Sequence, residues 1–265
     1  MEELSKQPDR ILVVMAHPDD ESMGNGGMIL RHAGAGIEVH LICATRGGAG
    51  WGGKPAGRRP DELPEIRAGE LERAARVLGI AAIDLWDYPD GAVRDCDQQK
   101  ITARITQAIL SLRPRLVVGW GPDGGYGHPD HIAIGDCTDH ALKSIADRYR
   151  PAAHYWMALD RETEAGYRRT FDEIGADGRG LPLIGFDELS VIFVLSEDEL
   201  AGKARAINCH ESQIEPWRER MEHRPDLQRA VLGHDGYRRV DGRQENRRLR
   251  EGLFPELEAV LAVPR

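Results

Sequence analysis

An apolar run that stops abruptly in a histidine, a proline and three acids constrains this chain more than any other feature. The stretch is Ile11 to Glu21, ILVVMAHPDDE. Ile11 to Met15 has the length and β-branched content of a strand buried on both faces. Pro18 cannot continue a central strand, so the polar cluster belongs just past the strand's carboxyl end. In open α/β sheets ligands bind at that rim. His17, Asp19 and Asp20 are thereby delivered together into a crevice. Asp20 lies three residues after His17, so beyond a tight turn both can face one ion while Asp19 points elsewhere. A histidine nitrogen and a carboxylate oxygen are ordinary zinc ligands, and the remaining acid is what a hydrolytic site needs as a base. A polar turn whose aspartates merely cap the next helix would explain one or two of the acids. It leaves the crowding unexplained, because like charges this close repel unless a cation or proton shares the site.

The first ninety residues read as strand-then-helix units. The Gly-rich segment GNGGMILRHAG (Gly24 to Gly34) becomes helical, and Ile37 to Ala44 is the second strand. GNGGM lacks the full GxGxxG spacing of a dinucleotide site and follows three acids that would repel a pyrophosphate, so close helix–sheet packing accounts for it better. Thr45 to Pro64 is a long Gly-rich loop on the same rim, carrying Trp51 as a stacking or packing residue. Helical periodicity covers Glu65 to Leu78, with Gly79 as its stop. Ala81 to Trp86 is a short third strand, Ile101 to Leu112 an amphipathic helix and Leu116 to Trp120 a fourth buried strand. Beyond about Arg150 the pattern loosens: Ala153 to Met157 and Ser190 to Leu195 read as strands, Asp198 to Cys209 as a helix, and Gly175 to Asp187 as a surface loop. From Trp217 onward the chain reads as helix and loop. The expected fold is α/β, a Rossmann-like, mostly parallel sheet with helices on both faces and a smaller C-terminal part. One domain spans residues 1–265, divided into a core over 1–150 and a lobe over 151–265.

The fourth strand ends in GPDGGYGHPDH (Gly121 to His131), a second strand-end cluster on the same rim. His128 and His131 are three apart, as are His17 and Asp20, and each pair encloses Pro-Asp. If His131 joins His17 and Asp20, two histidines and one carboxylate leave positions open for water and substrate, as in catalytic rather than structural zinc sites. Asp130 is placed to orient His128, since a carboxylate on one ring nitrogen fixes the tautomer of the other. Other hydrolase signatures are missing: His210-Glu211 has no second histidine to make HExxH, and there is no GxSxG elbow.

AHPDDE at Ala16 to Glu21 together with GHPDH at Gly127 to His131 resembles the LmbE-like (PIG-L) family of zinc-dependent N-acetylglucosaminyl deacetylases. Arg67 and Glu70 in IRAGEL, Asp90 in PDG, and KARAINCHESQ (Lys203 to Gln213) extend the resemblance. It implies a Rossmann-like fold and roles for particular residues. His17, Asp20 and His131 would ligate the metal, zinc or in the cell ferrous iron. Asp19 would be the base toward the attacking water, and His128, backed by Asp130, would serve the leaving amine or the oxyanion. Tyr126 would polarise the tetrahedral intermediate, and Arg67 and Asp90 would hold sugar hydroxyls. Trp51 and the Gly180 to Phe186 loop are expected to border the aglycone. Many members carry Thr-x-Gly-Glu after the second strand, whereas here Thr45-Arg46-Gly47 is followed by Gly48, which removes a carboxylate from the rim.

A net charge of -9 excludes nucleic acid as the main partner, and no apolar run has membrane-spanning length. The Arg-rich stretch Arg238 to Arg250 is interleaved with acids and reads as solvated surface. No signal peptide is visible, and the four scattered cysteines form no CxxC pair, so the expected setting is a reducing cytoplasm. Cys43 reads as a small core residue. The expected partner is a small amino-sugar conjugate, with a homo-oligomer left open. Three other readings stand beside the deacetylase: a zinc amidase of the same fold acting on a thiol conjugate or acylated peptide, a nucleotide-binding Rossmann protein without hydrolytic activity, and an inactive zinc scaffold.

Overall fold

A computed structural model describes residues 9–50, 60–174, 183–214, 223–242 and 244–261. Five parallel strands organise it: β1 (Arg10–Met15), β2 (Glu38–Thr45), β3 (Ala82–Tyr88), β4 (Leu116–Trp120) and β5 (Ala153–Asp160). They lie in the order β3-β2-β1-β4-β5. β1 pairs with β2 on one side (Val13 opposite Leu41) and with β4 on the other (Val13 opposite Val118). Every side chain from Ile11 to Met15 is buried, as the unbroken apolar run requires of a strand covered on both faces. Strand order reverses between β1 and β4. The two polar strand-end segments therefore emerge side by side at the switch point, where such sheets bind ligands.

The helices begin and end where their side chains dictate. In α3 (Leu63–Leu78), Gly79 terminates the helix at φ 76, a left-handed value glycine adopts without strain. Asp97 caps α4 (Gln98–Leu112) by accepting from the amides of Gln99 and Lys100. The glycines of GNGGM serve close packing. A Cβ on Gly27, in α2 (Gly26–Gly34), would lie 2.3 Å from Leu195, and one on Gly24 would lie 1.9 Å from the Met157 sulfur. α2 and α3 both pack on α8 (Glu197–Ile207), and α4 packs on α6 (Pro129–Ser144). Cys43 is buried in the core. No helix among the described residues is long and apolar enough to cross a membrane.

The tail departs from its expected helix and loop. The same sheet continues past β5 through β8 (His234–Arg239), β7 (Val191–Val194) and β9 (Arg247–Leu249), and β6 (Gly185–Phe186) pairs with β5. β8 runs antiparallel between β5 and β7. Its sequence, HDGYRR, shows no strand alternation, because its polar groups are answered by residues far along the chain. Asp235 is ion-paired with the buried Lys203 and accepts from the Met28 amide at 2.8 Å, and Tyr237 packs against Tyr155 and Phe254. The expected arginine surface is laced with ion pairs, Arg239 with Glu256 at 2.6 Å and Arg248 with Glu162 at 3.0 Å. Within the expected Gly175 to Asp187 loop, residues 175–182 lie outside the described residues, as does Trp51.

His32 in α2 is fully buried, with Nδ1 2.7 Å from the Met28 carbonyl and Nε2 accepting from the Phe254 amide at 3.1 Å. Burial lowers its pKa from 6.5 to about 4. The folded chain thus keeps this ring neutral where the unfolded chain protonates it. Its contribution is complete above pH 6.5 and is lost as pH falls toward 4, by roughly 3 kcal/mol. Denaturant unfolding across that window should show a His32→Gln variant, which has no ring to titrate, losing about one proton of the wild type's pH dependence.

Candidate active site

His17 and His131 face each other across the switch point, with Nδ1 of His17 3.1 Å from Nε2 of His131. Their outer nitrogens are both engaged. His17 Nε2 lies 3.0 Å from Asp90 and 3.2 Å from Asp130, and His131 Nδ1 lies 3.0 Å from the Gly124 carbonyl. Each outer nitrogen therefore carries a proton, and the inner nitrogen of a neutral ring presents a lone pair. Asp20 completes a triangle, with Oδ1 3.4 Å from His131 Nε2 and Oδ2 3.8 Å from His17 Nδ1. Oδ2 is held by the Ala16 and His17 amides at 3.0 and 2.9 Å, which aims the carboxylate. Edges of this length suit three ligands about 2 Å from a shared cation. Trp120 stacks on the His131 ring at 3.8 Å between centroids and fixes its plane.

The electrostatics favour a cation. Burial opposes a charge on His17, yet the hydrogen bonds to Asp130 and Asp90 and the charge of Asp20 overcome it and raise the pKa from 6.5 to about 10. Burial likewise pushes Asp20 upward, but the adjacent His131 and His17 outweigh it and hold Asp20 well below the carboxylate range. A divalent ion answers the same negative field that holds this proton. His128, with its own ring nitrogen within 4.8 Å of those of His17 and His131, is a further potential ligand. Another acidic cluster, Asp160, Glu162 and His234, already shares Arg248, 3.2 Å from Asp160 and 3.0 Å from Glu162.

Asp19 stands beside the triangle at φ 123, a left-handed value unusual for a residue with a side chain. Two groups hold it there. Glu21 accepts from its amide at 3.0 Å, and Arg67 donates to its carboxylate at 3.1 Å. Burial raises the Asp19 pKa, with Arg67 opposing and Asp20 reinforcing. Glu21 is itself fully buried and lies 2.8 Å from His210 Nε2. Glu21 and His210 were not anticipated. Their 189-residue separation gives no local signal, though HESQ within Lys203 to Gln213 marks the neighbourhood. Glu70 anchors that segment by accepting from the Ser212 amide at 2.7 Å.

His128 is the N-cap of α6, where its Nδ1 accepts from the Asp130 amide at 3.2 Å, so the proton of the neutral ring sits on Nε2. Burial first, then the neighbouring His131 and His17, lowers its pKa and keeps the ring neutral. Tyr126 meets the rings of His128 and His131 edge-on at 5.7 and 5.3 Å between centroids.

Three expected roles are corrected. The Asp130 carboxylate supports His17 rather than His128; the amides of Gly91 and Val93, at 2.7 and 3.0 Å, turn it inward. Asp90 points at His17 and at the Ala49 amide, 2.8 Å away, so it supports a candidate ligand instead of facing a sugar. Arg67, only 3% exposed, is buried against the carbonyls of Gly47 and Pro18 and against Asp19, so its guanidinium holds the base and the backbone around it. Of the aglycone loop, Leu183 reaches the site, where it lines a cavity shared with Asp19, Asp20 and His131.

The fold and the site define an α/β protein with a two-histidine, one-carboxylate rim centre. The PIG-L family, described as GlcNAc-PI de-N-acetylase, matches residues 12–142. The 1D-myo-inositol 2-acetamido-2-deoxy-alpha-D-glucopyranoside deacetylase of Kineococcus radiotolerans is 33% identical over 252 residues, covering 78% of this chain and 70% of that protein. The chain belongs to the PIG-L family. Among solved structures it is similar to the N,N'-diacetylchitobiose deacetylase of Pyrococcus horikoshii, at a TM-score of 0.60 and 25% identity over 89% of this chain and 85% of that one. A 4-carboxy-2-hydroxymuconate hydratase from Pseudomonas putida KT2440 shares the fold at a TM-score of 0.61 and 19% identity, over 90% and 98% of the two chains.

Removing the charge that orients His17 should loosen metal. Titration against a chelator is expected to show Asp130→Asn binding zinc roughly 10–100-fold more weakly than wild type. Unchanged affinity would discount Asp130 as the support of His17.

Proposed function

We propose that this protein is a metal-dependent hydrolase that removes an acyl group, acetyl in the simplest case, from an N-acetylglucosamine-type conjugate. The observation that carries this reading is the pair of inward-facing ring nitrogens on His17 and His131, 3.1 Å apart, beside Asp20 and with a separate carboxylate, Asp19, at hand. His17, Asp20 and His131 would hold the ion; the donor set, two imidazoles and one carboxylate, fits zinc, with ferrous iron as the alternative. When bound, such an ion supplies a Lewis acid that polarises the amide carbonyl and makes water more acidic.

The chain's own residues do the rest. Asp19, its pKa raised by burial, accepts the proton of the attacking water while Arg67 and Glu21 hold it in place. His128, with the proton of a neutral ring on Nε2, donates a hydrogen bond to the developing oxyanion or toward the departing amine. That amine, the poor leaving group that makes amides slow to hydrolyse, takes its proton from Asp19, which gained it from the water. Tyr126 borders the same space from the turn before α6 and would steady the tetrahedral centre. The named activities of the relatives support the amino-sugar class of substrate. The hydratase is similar in fold alone and so does not favour another chemistry.

Screening N-acetylglucosamine conjugates for released amine tests the reading directly. Asp19→Ala should retain about one equivalent of metal and lose roughly two to four orders of magnitude in kcat. A rate within a few-fold of wild type would remove Asp19 as the base. His131→Ala should lose the metal itself; unchanged metal affinity in that variant would refute the ligand set.

A further inference from the structure

Beside the rim centre lies a largely apolar cavity of about 210 Å³ that Asp19, Asp20 and His131 help to line. Its walls include Met23, Trp120, Met157, Leu159, Tyr167 and Leu183. Met157 passes so close over Gly24 that a Cβ there would collide with its sulfur, so the glycine admits this wall. Leu183 is fixed on the other side. The next residue, Ile184, donates to the Gly125 carbonyl at 3.3 Å, and Gly185 pairs with Leu159 on β5.

We propose that this cavity is an acyl subsite and that the preferred amides carry an apolar acyl chain longer than acetyl, of about four to eight carbons, given that a cavity of roughly 150 Å³ already holds benzene. This rests on the hydrolytic reading above and deepens it. An acetyl methyl is about as large as one water, roughly 30 Å³, and even with the reacting carbonyl in the same space would leave part of it without contacts. A sugar fits the cavity poorly. Apart from Asp19, Asp20 and His131, the polar side-chain groups among its lining residues are the Tyr126 and Tyr167 hydroxyls and the Trp120 indole N–H, so the several hydroxyls of a sugar would enter with few partners. The two substituents of the scissile carbonyl are thereby sorted. His128, the donor toward the amine, is not among the residues lining the cavity, so the amine and its sugar lie on the His128 side and the acyl chain on the cavity side.

Calorimetry with acetate, butanoate and hexanoate on the purified protein tests the cavity without relying on turnover. The three anions carry the same charge, so differences among them report the chain. Affinity should rise toward about fourfold per methylene and by at least tenfold from acetate to hexanoate. In parallel, kcat/KM for N-hexanoylglucosamine should exceed that for N-acetylglucosamine at least tenfold. Leu183→Trp, which fills the cavity, should lower both ratios at least tenfold; Leu159→Phe on the adjoining strand repeats the test if that variant does not fold. Equal affinity for acetate and hexanoate would overturn the proposal, as would a kcat/KM that declines with each added carbon. Selective hexanoate binding with no amide hydrolysed at any chain length would uphold the cavity assignment and sink the hydrolytic reading instead.

Discussion

Two imidazole nitrogens held 3.1 Å apart, with a buried carboxylate beside them, need a shared proton or cation between them. Much of the rim is arranged to keep them there. Asp90 and Asp130 hold the outer nitrogen of His17, the Gly124 carbonyl holds that of His131, and the Trp120 ring prevents His131 from turning away. Each support is itself fixed by backbone amides: Ala49 on Asp90, Gly91 and Val93 on Asp130. Burying so many acids is unfavourable in isolation and becomes tolerable when they share a cation or proton and have their hydrogen bonds satisfied. The apolar strands β1 and β4 contribute by ending at the same level, so the two polar segments meet without long, mobile connections.

Asp19 shows how the same scaffold separates two adjacent carboxylates into different tasks. Asp20 turns inward onto the Ala16 and His17 amides and opens α1 (Asp20–Met23). Asp19 takes a strained backbone angle that sends its side chain onto the Arg67 guanidinium. Strain of this kind, of order 1–3 kcal/mol, persists only where surrounding contacts enforce it. Here the Glu21 carboxylate on the Asp19 amide and the Arg67 guanidinium on its side chain enforce it, with His210 buried behind Glu21.

What could be read from the chain divides along a physical line. The β1 and β4 motifs were legible because strand, turn and chemistry follow one another within about ten residues, so local rules suffice. The parallel order followed from the helices between strands. β8 was not legible: Asp235 is satisfied by Lys203, and Tyr237 by aromatic neighbours from other elements, partners that local periodicity does not show. The corrected roles share one cause. Sequence indicates that Asp90, Asp130 and Arg67 carry charge near the rim, but not which way each side chain turns. Asp130 is two residues from His128, yet the start of α6 rotates its carboxylate toward Gly91 and Val93. The Glu21–His210 contact joins residues 189 apart and has no local signature at all.

The inward turn of these charges bears on selectivity. Arg67 and Asp90 are engaged with the backbone and with the residues they support, and Gly48 offers no side chain to the rim. Few of the described polar side chains near the centre remain free to count hydroxyls. Discrimination by hydrogen bonding depends on buried polar groups that are left unpaired by the wrong ligand, and on the cavity side the candidates are the Trp120 indole N–H and the Tyr126 hydroxyl. Apolar surface is what remains, on Met23, Met157, Leu159 and Leu183. Each methylene buried there adds about 0.8 kcal/mol, a graded preference for length in place of a sharp choice between hydroxyl patterns. In this protein the part of the substrate read by the β5 side of the rim is therefore the acyl chain.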